Sequence, residues 1–290
     1  MAVTVDDLPV GPPNRHSTRQ QEKITARLLA ALKTHRVPAV GFVNEAKLEV
    51  RGAVDPRRVA LLERWLDAGM ELGNHGHSHL DLHRVDLAAW QEDVVRGERV
   101  TRRLLEKRRR KLQWFRHPFL HAGRSADVQN QAEAFLASRG YRIAPVTIDN
   151  HEWVYGGAYA DAWNRRDKAL MRRLGKDYVR YMLEVVAFYE GQSEAIVKRR
   201  IPQVLLLHAY ALNADWLGEL LDRLEARGYR WVTLDEALKD EAYRLPAGGY
   251  TADAGITWLH RWAITARMDP KIFQGEPEVP GWVEALHQGR

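Results

Sequence analysis

The stretch Ala2-Val3-Thr4-Val5-Asp6-Asp7 is a short apolar run that ends in two adjacent carboxylates. A second apolar run, Met70-Glu71-Leu72, leads into Gly73-Asn74-His75-Gly76-His77-Ser78-His79. Each run is typical of a strand that ends in a loop, so its polar residues are predicted at the strand end. In α/β proteins the carboxyl ends of parallel strands form the edge at which ligands bind. The sequence therefore predicts that the aspartates and the histidines meet at one edge of a sheet.

One aspartate and two of the histidines form a candidate metal site. An Asp oxygen and two neutral imidazoles are a three-ligand set that leaves a Zn²⁺-like ion open to water or substrate. His75 and His79 are four residues apart and share a face of a helical turn, whereas His77 points elsewhere. We therefore predict that His75 and His79 bind the ion and that the second aspartate lies beside it as a general base. Taken alone, the two histidines would be typical of capping or surface residues.

Strand and helix patterns alternate over most of the chain, which indicates a parallel sheet. The seven predicted strands are residues 2–5, 38–43, 70–74, 113–115, 141–148, 201–207 and 229–234. The predicted helices begin near Arg15, Asp55, Asp86, Ser125, Asn213 and Asp235, and the one from Asp86 is long and basic. Polar residues recur at the strand ends, which favours an α/β fold of the distorted or incomplete (β/α) barrel type. A flat doubly wound sheet is the alternative.

The chain is predicted to form a catalytic barrel domain, residues 1–245, and a C-terminal extension, residues 246–290. Residues 154–200 interrupt the alternation with a long helical pattern, so we predict a helical insertion that packs over one side of the barrel. The extension is rich in aromatic residues and proline. Its aromatic patch, Trp258, His260 and Trp262, is predicted to pack the extension on the barrel, with a platform for a sugar ring as the alternative.

The composition is that of a soluble globular protein, with 45% hydrophobic and 28% charged residues among 290. No apolar run approaches the roughly 20 residues of a membrane helix. The absence of cysteine excludes disulfides and thiolate metal sites. Much of the net charge of +6 lies in residues 96–111, a predicted amphipathic helix with a solvated basic face. No nucleic-acid-binding motif accompanies this charge, so we predict no nucleic-acid partner and no transmembrane segment.

Met1 precedes the first predicted strand directly, without a signal peptide. The sequence leaves open a cytoplasmic protein and a secreted or periplasmic protein whose leader has been removed. It also leaves the oligomeric state open.

Five groups of residues follow predicted strands in a fixed order. They are Asp6-Asp7, His75 with His79, Arg116-His117-Pro118-Phe119, Asp149-Asn150-His151-Glu152-Trp153 and Leu206-Leu207-His208. This order resembles the polysaccharide deacetylase family of carbohydrate esterases, whose catalytic domain is the NodB homology domain. The family reads T-F-D-D, H-[ST]-x-x-H, R-x-P-[YF], D-x-x-D-W and a leucine-histidine motif. The resemblance covers roughly residues 2–238, and five ordered motifs are far more specific than any one of them.

Several departures from the family pattern indicate a divergent subfamily. No glycine follows the Asp pair, and Gly76 rather than Ser or Thr follows His75. Glu152 stands where the family usually has Asp, and Phe119 where Tyr is commoner, followed by Leu120 rather than glycine. None of these changes removes a predicted metal ligand or a member of the predicted acid/base pair.

The resemblance implies a role for each matching residue. The metal ion is expected on Asp7, His75 and His79, and Asp6 is expected to act as the general base. Arg116 is expected to pair with Asp6 and to lower its pKa. The backbone N–H of Phe119 is expected to stabilise the oxyanion.

The last two motifs supply the proton donor and the walls of the substrate pocket. His208 is expected to protonate the leaving amine or alcohol, oriented by Glu152 or Asp149, and the family's spacing favours Glu152. Trp153 and either Leu206 or Leu207 are expected to wall an acetyl-sized pocket.

The resemblance thus implies a metal-dependent deacetylase that removes N- or O-acetyl groups from a saccharide. We expect one divalent ion, zinc, with cobalt or nickel as substitutes, because oxygen plus two imidazoles discriminates weakly among these metals. The first alternative is an amidase or esterase that acts on a non-carbohydrate small molecule with the same scaffold. The second is an inactive carbohydrate- or cell-wall-binding module, which would be expected to have lost some of these groups.

Overall fold

The computed structural model describes residues 1–11 and 16–289. Within these ranges the strands are β1 (Ala2–Leu8), β2 (Val40–Val43), β3 (Glu49–Val50), β4 (Ala53–Val54), β5 (Glu71–Asn74), β6 (Trp114–Phe115), β7 (Arg142–Ile143) and β8 (Val204–His208). The α-helices are α1 (Thr18–Thr34), α2 (Pro56–Asp67), α3 (Leu87–Arg96), α4 (Arg99–Glu106), α5 (Ala126–Ser138), α6 (Glu152–Asn164), α7 (Lys168–Val197), α8 (Ala211–Ala226), α9 (Leu234–Ala237), α10 (Trp258–Thr265) and α11 (Gly281–Gln288). Four 3-10 helices add Glu45–Leu48, Pro118–Leu120, Glu241–Arg244 and Pro270–Phe273.

Six strands form one curled sheet in the order β7-β6-β5-β2-β1-β8, with every neighbouring pair parallel. Strands β1, β2 and β8 are almost wholly buried, as expected for a sheet covered on both faces. Strands β3 and β4 form a separate antiparallel hairpin beside the 3-10 helix Glu45–Leu48. The structure therefore confirms the predicted incomplete (β/α) barrel.

The chain that follows α5 contacts both edges of the curled sheet. The predicted strand over residues 141–148 is regular only at β7, which pairs with β6. Further on, Ile148 forms a parallel bridge with Leu205 of β8, and Thr147 donates its N–H to the Val204 carbonyl oxygen. Because the segment leaves one edge and reaches the other, it cannot pair along its whole length with either strand.

The predicted seventh strand, residues 229–234, is wrong. Its backbone hydrogen bonds lie beside Met1, whose amino group donates to the Arg230 carbonyl oxygen and whose carbonyl oxygen accepts from Val232. Both edges of β1 are already paired with β2 and β8, and the outer edge of β8 is met by Ile148. Residues 229–234 therefore find neither edge of β1 free and the outer edge of β8 already contacted, and Thr233 caps α9 instead.

Two predicted helices differ in detail from the observed ones. Helix α1 begins at Thr18 with Ser17 as its N-cap, and its predicted start at Arg15 lies outside the described residues. The predicted long basic helix is divided into α3 and α4 at Gly97. A Cβ on Gly97 would meet the Gly76 carbonyl carbon at 2.5 Å and the His77 nitrogen at 2.6 Å, so the break lets the chain pass close to the histidine loop.

The predicted insertion, residues 154–200, is helical and consists of most of α6 and the whole of α7. Both helices pack against each other and against α8. In the extension, α10 contacts α7 and α11 contacts α6, and the buried residues Leu259, Trp262 and Val283 join the main hydrophobic core. The burial of Trp262 and His260 favours a packing role for them over a sugar platform. The boundaries at residue 245 stay a prediction.

No helix among the described residues is long and apolar enough to cross a lipid bilayer.

Candidate active site

The end of β1 places two carboxylates at one edge of the sheet. The ladder between β1 and β8 pairs Asp6 directly with His208, so the first and last of the five motifs are neighbours. The parallel register of β1 shifts between Val5 and Leu8, and Asp7 has a φ of 74°. This local distortion gives the adjacent aspartates different surroundings. Asp7 forms an ion pair with Lys47, with 2.7 Å between Oδ1 and Nζ.

The end of β5 fixes the orientation of His75. Its Nδ1 lies 2.8 Å from the Arg116 carbonyl oxygen. A carbonyl only accepts, so Nδ1 carries the proton and Nε2 keeps its lone pair. Asn44 donates to the His75 carbonyl oxygen at 2.7 Å, and Asn74 accepts from Gly76 N–H at 2.8 Å. Buried amides therefore hold the start of the histidine loop in place.

Asp7, His75 and His79 fit a divalent metal ion. One ligand atom from each lies within 4.8 Å of the others. Burial lowers the pKa of both His75 and His79 to about 3, so both imidazoles are neutral and able to bind a metal at neutral pH. Burial alone would raise the pKa of Asp7, but Lys47 and the nearby histidines outweigh it and lower that pKa. The donor set is thus one carboxylate and two neutral imidazoles.

His77 is oriented away from this group. Its Nε2 lies 3.1 Å from Glu49 Oε1, and its Nδ1 lies 2.9 Å from Ser78 Oγ. Both ring nitrogens therefore have partners outside the proposed donor set, which supports His75 with His79 over any pair that includes His77.

Asp6 is a buried carboxylate beside the proposed metal site. It is 3% exposed, and its Oδ2 lies 3.6 Å from His75 Nε2. Its Oδ1 has no hydrogen-bond partner among the described residues. Burial raises the pKa of Asp6 although the charge of Arg116 opposes the shift. Arg116 thus acts in the expected direction, but desolvation outweighs the attraction of its guanidinium and the net shift in the pKa of Asp6 is upward.

Arg116 hydrogen-bonds a neighbouring hydroxyl rather than the Asp6 carboxylate. Its Nη2 donates to Thr4 Oγ1 at 2.8 Å, and its guanidinium lies 4.8 Å from the centre of the Phe42 ring. Burial lowers the pKa of Arg116, and the charges of Asp6 and Asp149 oppose that shift. The predicted contact between Arg116 and Asp6 is thus an electrostatic interaction without a direct hydrogen bond.

His208 and Glu152 form a histidine–carboxylate pair. His208 Nδ1 lies 3.0 Å from Oε1 of the fully buried Glu152. The other oxygen, Oε2, accepts from Tyr178 Oη and Asn213 Nδ2, both at 2.9 Å. Burial alone would lower the pKa of His208, but the hydrogen bond and charge of Glu152 outweigh it and raise the pKa to about 9. The ring of Tyr210 stacks on His208 at 5.1 Å between centres.

Glu152, and not Asp149, is therefore the carboxylate in contact with His208. Asp149 Oδ1 accepts from Asn150 N–H at 2.8 Å, and its side chain faces the same pocket. Burial raises the pKa of Asp149 to about 6. Its negative charge helps to balance that of the buried Arg116.

One pocket of about 530 Å³ is lined by Asp6, Asp7, His75, His79, Asp149 and His208. Phe119, Trp153 and Leu206 are among its walls, and Phe119 is held at a φ of 58° in the 3-10 helix after β6. Leu207 is fully buried in the main hydrophobic core and does not line the pocket. Side chains of a strand alternate between its faces, so Leu206 and His208 share the pocket face. Of the two leucines expected as alternatives, Leu206 therefore walls the pocket and Leu207 does not.

Besides pocket residues within or next to the motifs (His117, Leu120, His121, Asn150 and His151), five residues of the site have no predicted role. They are Lys47, Tyr178, Tyr210, Asn213 and Gly255. Tyr210 lies two residues after His208, so proximity along the chain was a usable signal. The other four come from the 3-10 helix before β3, from α7 and α8, and from the extension, and no motif spacing connects them to the site.

The family model for polysaccharide deacetylases matches residues 1–137. This segment, which contains the Asp pair, both predicted histidine ligands and Arg116, matches the polysaccharide deacetylase model, in line with its motifs. Glu152 and His208 lie beyond the matched residues. No curated protein sequence matches the chain significantly.

Similar solved structures belong to carbohydrate esterase family 4. A mutant of a Bacillus anthracis pseudoenzyme of this family, with restored enzymatic activity, has 18% identity and a TM-score of 0.51, covering 82% of this chain and 66% of that chain. A family 4 esterase from Streptomyces lividans in complex with acetate has 17% identity and a TM-score of 0.50, covering 82% of this chain and 94% of that one. The chain thus spans slightly less than two thirds of the pseudoenzyme's length. At these identities the likeness establishes the fold alone.

Proposed function

We propose that the protein is a metal-dependent hydrolase that removes N- or O-acetyl groups from a saccharide. The observation that carries this proposal is the meeting of three chemical units in one pocket. They are the Asp7, His75 and His79 donor set, the buried carboxylate of Asp6, and the His208–Glu152 pair. The family match of residues 1–137 and the fold support the same reaction class.

Asp7, His75 and His79 would hold one divalent ion, zinc, with cobalt or nickel as substitutes. When bound, such an ion makes a water a better nucleophile near neutral pH and polarises the acyl carbonyl. The hydrogen bond from His75 to the Arg116 carbonyl oxygen fixes which ring nitrogen is offered as a ligand.

Asp6 would take the proton of the attacking water. Its carboxylate is buried, has a raised pKa and keeps one oxygen free of hydrogen bonds among the described residues, as a general base requires. Arg116 would keep the carboxylate ionised through its charge. The backbone N–H of Phe119 would stabilise the negative oxygen of the tetrahedral intermediate.

His208 would donate a proton to the leaving amine or alcohol. Glu152 holds Nδ1, which directs Nε2 away from the carboxylate and leaves it as the transferable donor. Asp149 would help to balance the positive charge of Arg116 and would not orient His208. Trp153 and Leu206 would wall the site of the acetyl group.

The two alternative functions differ in which catalytic groups the pocket would need. A pseudoenzyme is among the similar folds, but an inactive binding module has no need for a buried base, a buried acid pair and a donor set together. An amidase or esterase for a non-carbohydrate substrate would use the same groups. Acetate release in the presence of metal, measured across chitooligosaccharides, peptidoglycan, acetylxylan and simple acetyl esters, separates the two enzymatic functions. Absence of release from every substrate would contradict both.

Removal of a single imidazole should empty the metal site. We expect one divalent ion per chain in the wild type, and its occupancy should fall to background in His75→Ala and in His79→Ala, because two remaining ligands bind a divalent ion weakly. Elemental analysis of the purified proteins after dialysis measures the occupancy. His77→Ala is the matched control from the same loop and should keep the ion, since His77 contacts Glu49 and Ser78. Unchanged metal content in both His75→Ala and His79→Ala would overturn the assignment.

A further inference from the structure

A second cavity, of about 280 Å³, lies beside the catalytic pocket, between the barrel and the C-terminal extension. His117 is a wall that the two cavities share. Arg261 and Trp258 of α10 line the second cavity from the side of the extension. None of the groups that line it has a role in the proposed reaction.

Arg261 is a buried cation without a counter-charge in contact. It is 3% exposed, and it forms no ion pair within 4.0 Å in the parts of the chain that the structure describes. Its Nη2 donates to the Leu120 carbonyl oxygen at 2.8 Å, while its Nε has no hydrogen-bond partner there. Glu133, an exposed acid at the cavity, attracts Arg261 only from a distance. Burying an unpaired charge is costly, so an anionic partner is expected.

The surroundings of Arg261 favour a planar anion. The guanidinium carbon lies 5.1 Å from the centre of the Trp258 ring and 5.7 Å from that of Tyr250. The two rings lie against the guanidinium, and its Nε remains a donor without a partner among the described residues, which a carboxylate oxygen can accept from.

His117 supplies a second unsatisfied polar group. Its side chain is 1% exposed and stacks on Trp90, with 5.6 Å between the ring centres. Neither ring nitrogen has a hydrogen-bond partner among the described residues. Buried polar groups are almost always hydrogen-bonded, so an orphaned imidazole in a cavity wall indicates a missing ligand or solvent partner.

We propose that this cavity binds a small organic carboxylate, held by the guanidinium of Arg261 with His117 as a further hydrogen-bonding group. The volume is several times the ~30 Å³ occupied by one water molecule, which favours an organic acid over a bare inorganic ion. Two sources share this chemistry, namely acetate and a sugar acid. The proposal is independent of the deacetylase reaction, because it uses none of the groups assigned to catalysis or metal binding.

Calorimetric titration of the metal-loaded protein with acetate and with glucuronate tests the proposal, with acetamide and glucose as their neutral controls. We expect at least one carboxylate to bind and the neutral compounds not to bind. Arg261→Met should weaken that binding roughly 10–100-fold, the range for loss of a charge-assisted hydrogen bond. Arg124→Met is the matched control, because it removes an exposed arginine that pairs with Asp253 and lies outside the cavity.

A second variant separates ligand binding from loss of the hydrogen bond to Leu120. Ala247→Leu fills part of the cavity and leaves Arg261 in place, so it should weaken binding of glucuronate more than that of acetate. Equal carboxylate binding by wild type, Arg261→Met and Ala247→Leu would overturn the proposal. So would acetate binding that is lost in His79→Ala but kept in Arg261→Met, because the acetate would then occupy the metal site. Failure of the deacetylase assay has no bearing on these measurements.

Discussion

Asp6→Asn should retain the metal ion and the fold while its rate falls about 10²–10⁴-fold, the usual contribution of a general base. Asparagine has nearly the same shape as aspartate but cannot accept the proton of the attacking water. Because Asp6 is buried and its Oδ1 has no hydrogen-bond partner among the described residues, a neutral side chain also removes a desolvation cost. The thermal midpoint should therefore be unchanged or higher. Acetate release, metal content and thermal unfolding measured on one preparation check the three expectations.

Asp7→Asn is the matched control for this variant, since it alters the adjacent carboxylate in the same way. Asp7 belongs to the donor set, so its loss should empty the metal site and abolish activity together. If Asp6→Asn lost the metal and Asp7→Asn kept it, the roles of the two aspartates would have to be exchanged. If both variants kept metal and activity, neither carboxylate would be catalytic.

The proximity of Asp7, His75 and His79, and that of His208 and Glu152, could be predicted from the order and spacing of the motifs along the chain. His75 and His79 are four residues apart in one loop, and the fourth motif places Glu152 three residues after Asp149. The structure joins Glu152 to His208 across 56 residues, which the ordered motifs implied without any knowledge of the intervening chain. Where a motif fixes the spacing of two functional residues along the chain, the sequence is enough to predict that their side chains lie together.

Burial and sheet closure could not be predicted in the same way. The pKa of Asp6 depends on desolvation by the whole fold, and a single motif carries no information on that cost. Residues 229–234 have the composition of a strand, but the outer edge of β8 beside them is already contacted by Ile148. Leu206 could have been chosen over Leu207 by counting back two residues from His208, because alternate strand residues share a face.

The second large effect concerns His208 and the alkaline side of the pH–rate profile. With Glu152 raising its pKa to about 9, His208 stays protonated at neutral pH and can act as an acid. The rate should therefore stay constant up to about pH 9 and fall above it as His208 deprotonates.

The raised pKa of His208 also affects stability and the variant at this position. Protonation of His208 stabilises the folded state, and this stabilisation is lost as the pH rises through about 9. His208→Ala should lower the rate on an N-acetyl sugar about 10²–10⁴-fold and flatten the alkaline limb.

Glu152→Gln tests the cause of the raised pKa. Glutamine retains a hydrogen-bonding oxygen but removes the charge, so the alkaline limb should move to lower pH while the acidic limb stays in place. Profiles of kcat/KM for both variants against wild type measure these shifts.

The choice of substrate separates acid catalysis from mere positioning by His208. An amine is a poor leaving group and needs a proton, whereas an activated phenol leaves without one. His208→Ala should therefore slow an N-acetyl sugar far more than an aryl acetate, and the ratio of the two losses is the quantity to measure. Because Glu152 also contacts Tyr178 and Asn213, a substitution at position 208 that disturbed the packing would slow both substrates alike. Equal losses on the two substrates would thus make His208 a positioning residue. A larger loss on the N-acetyl sugar, together with a flattened alkaline limb, is explained by proton donation from His208.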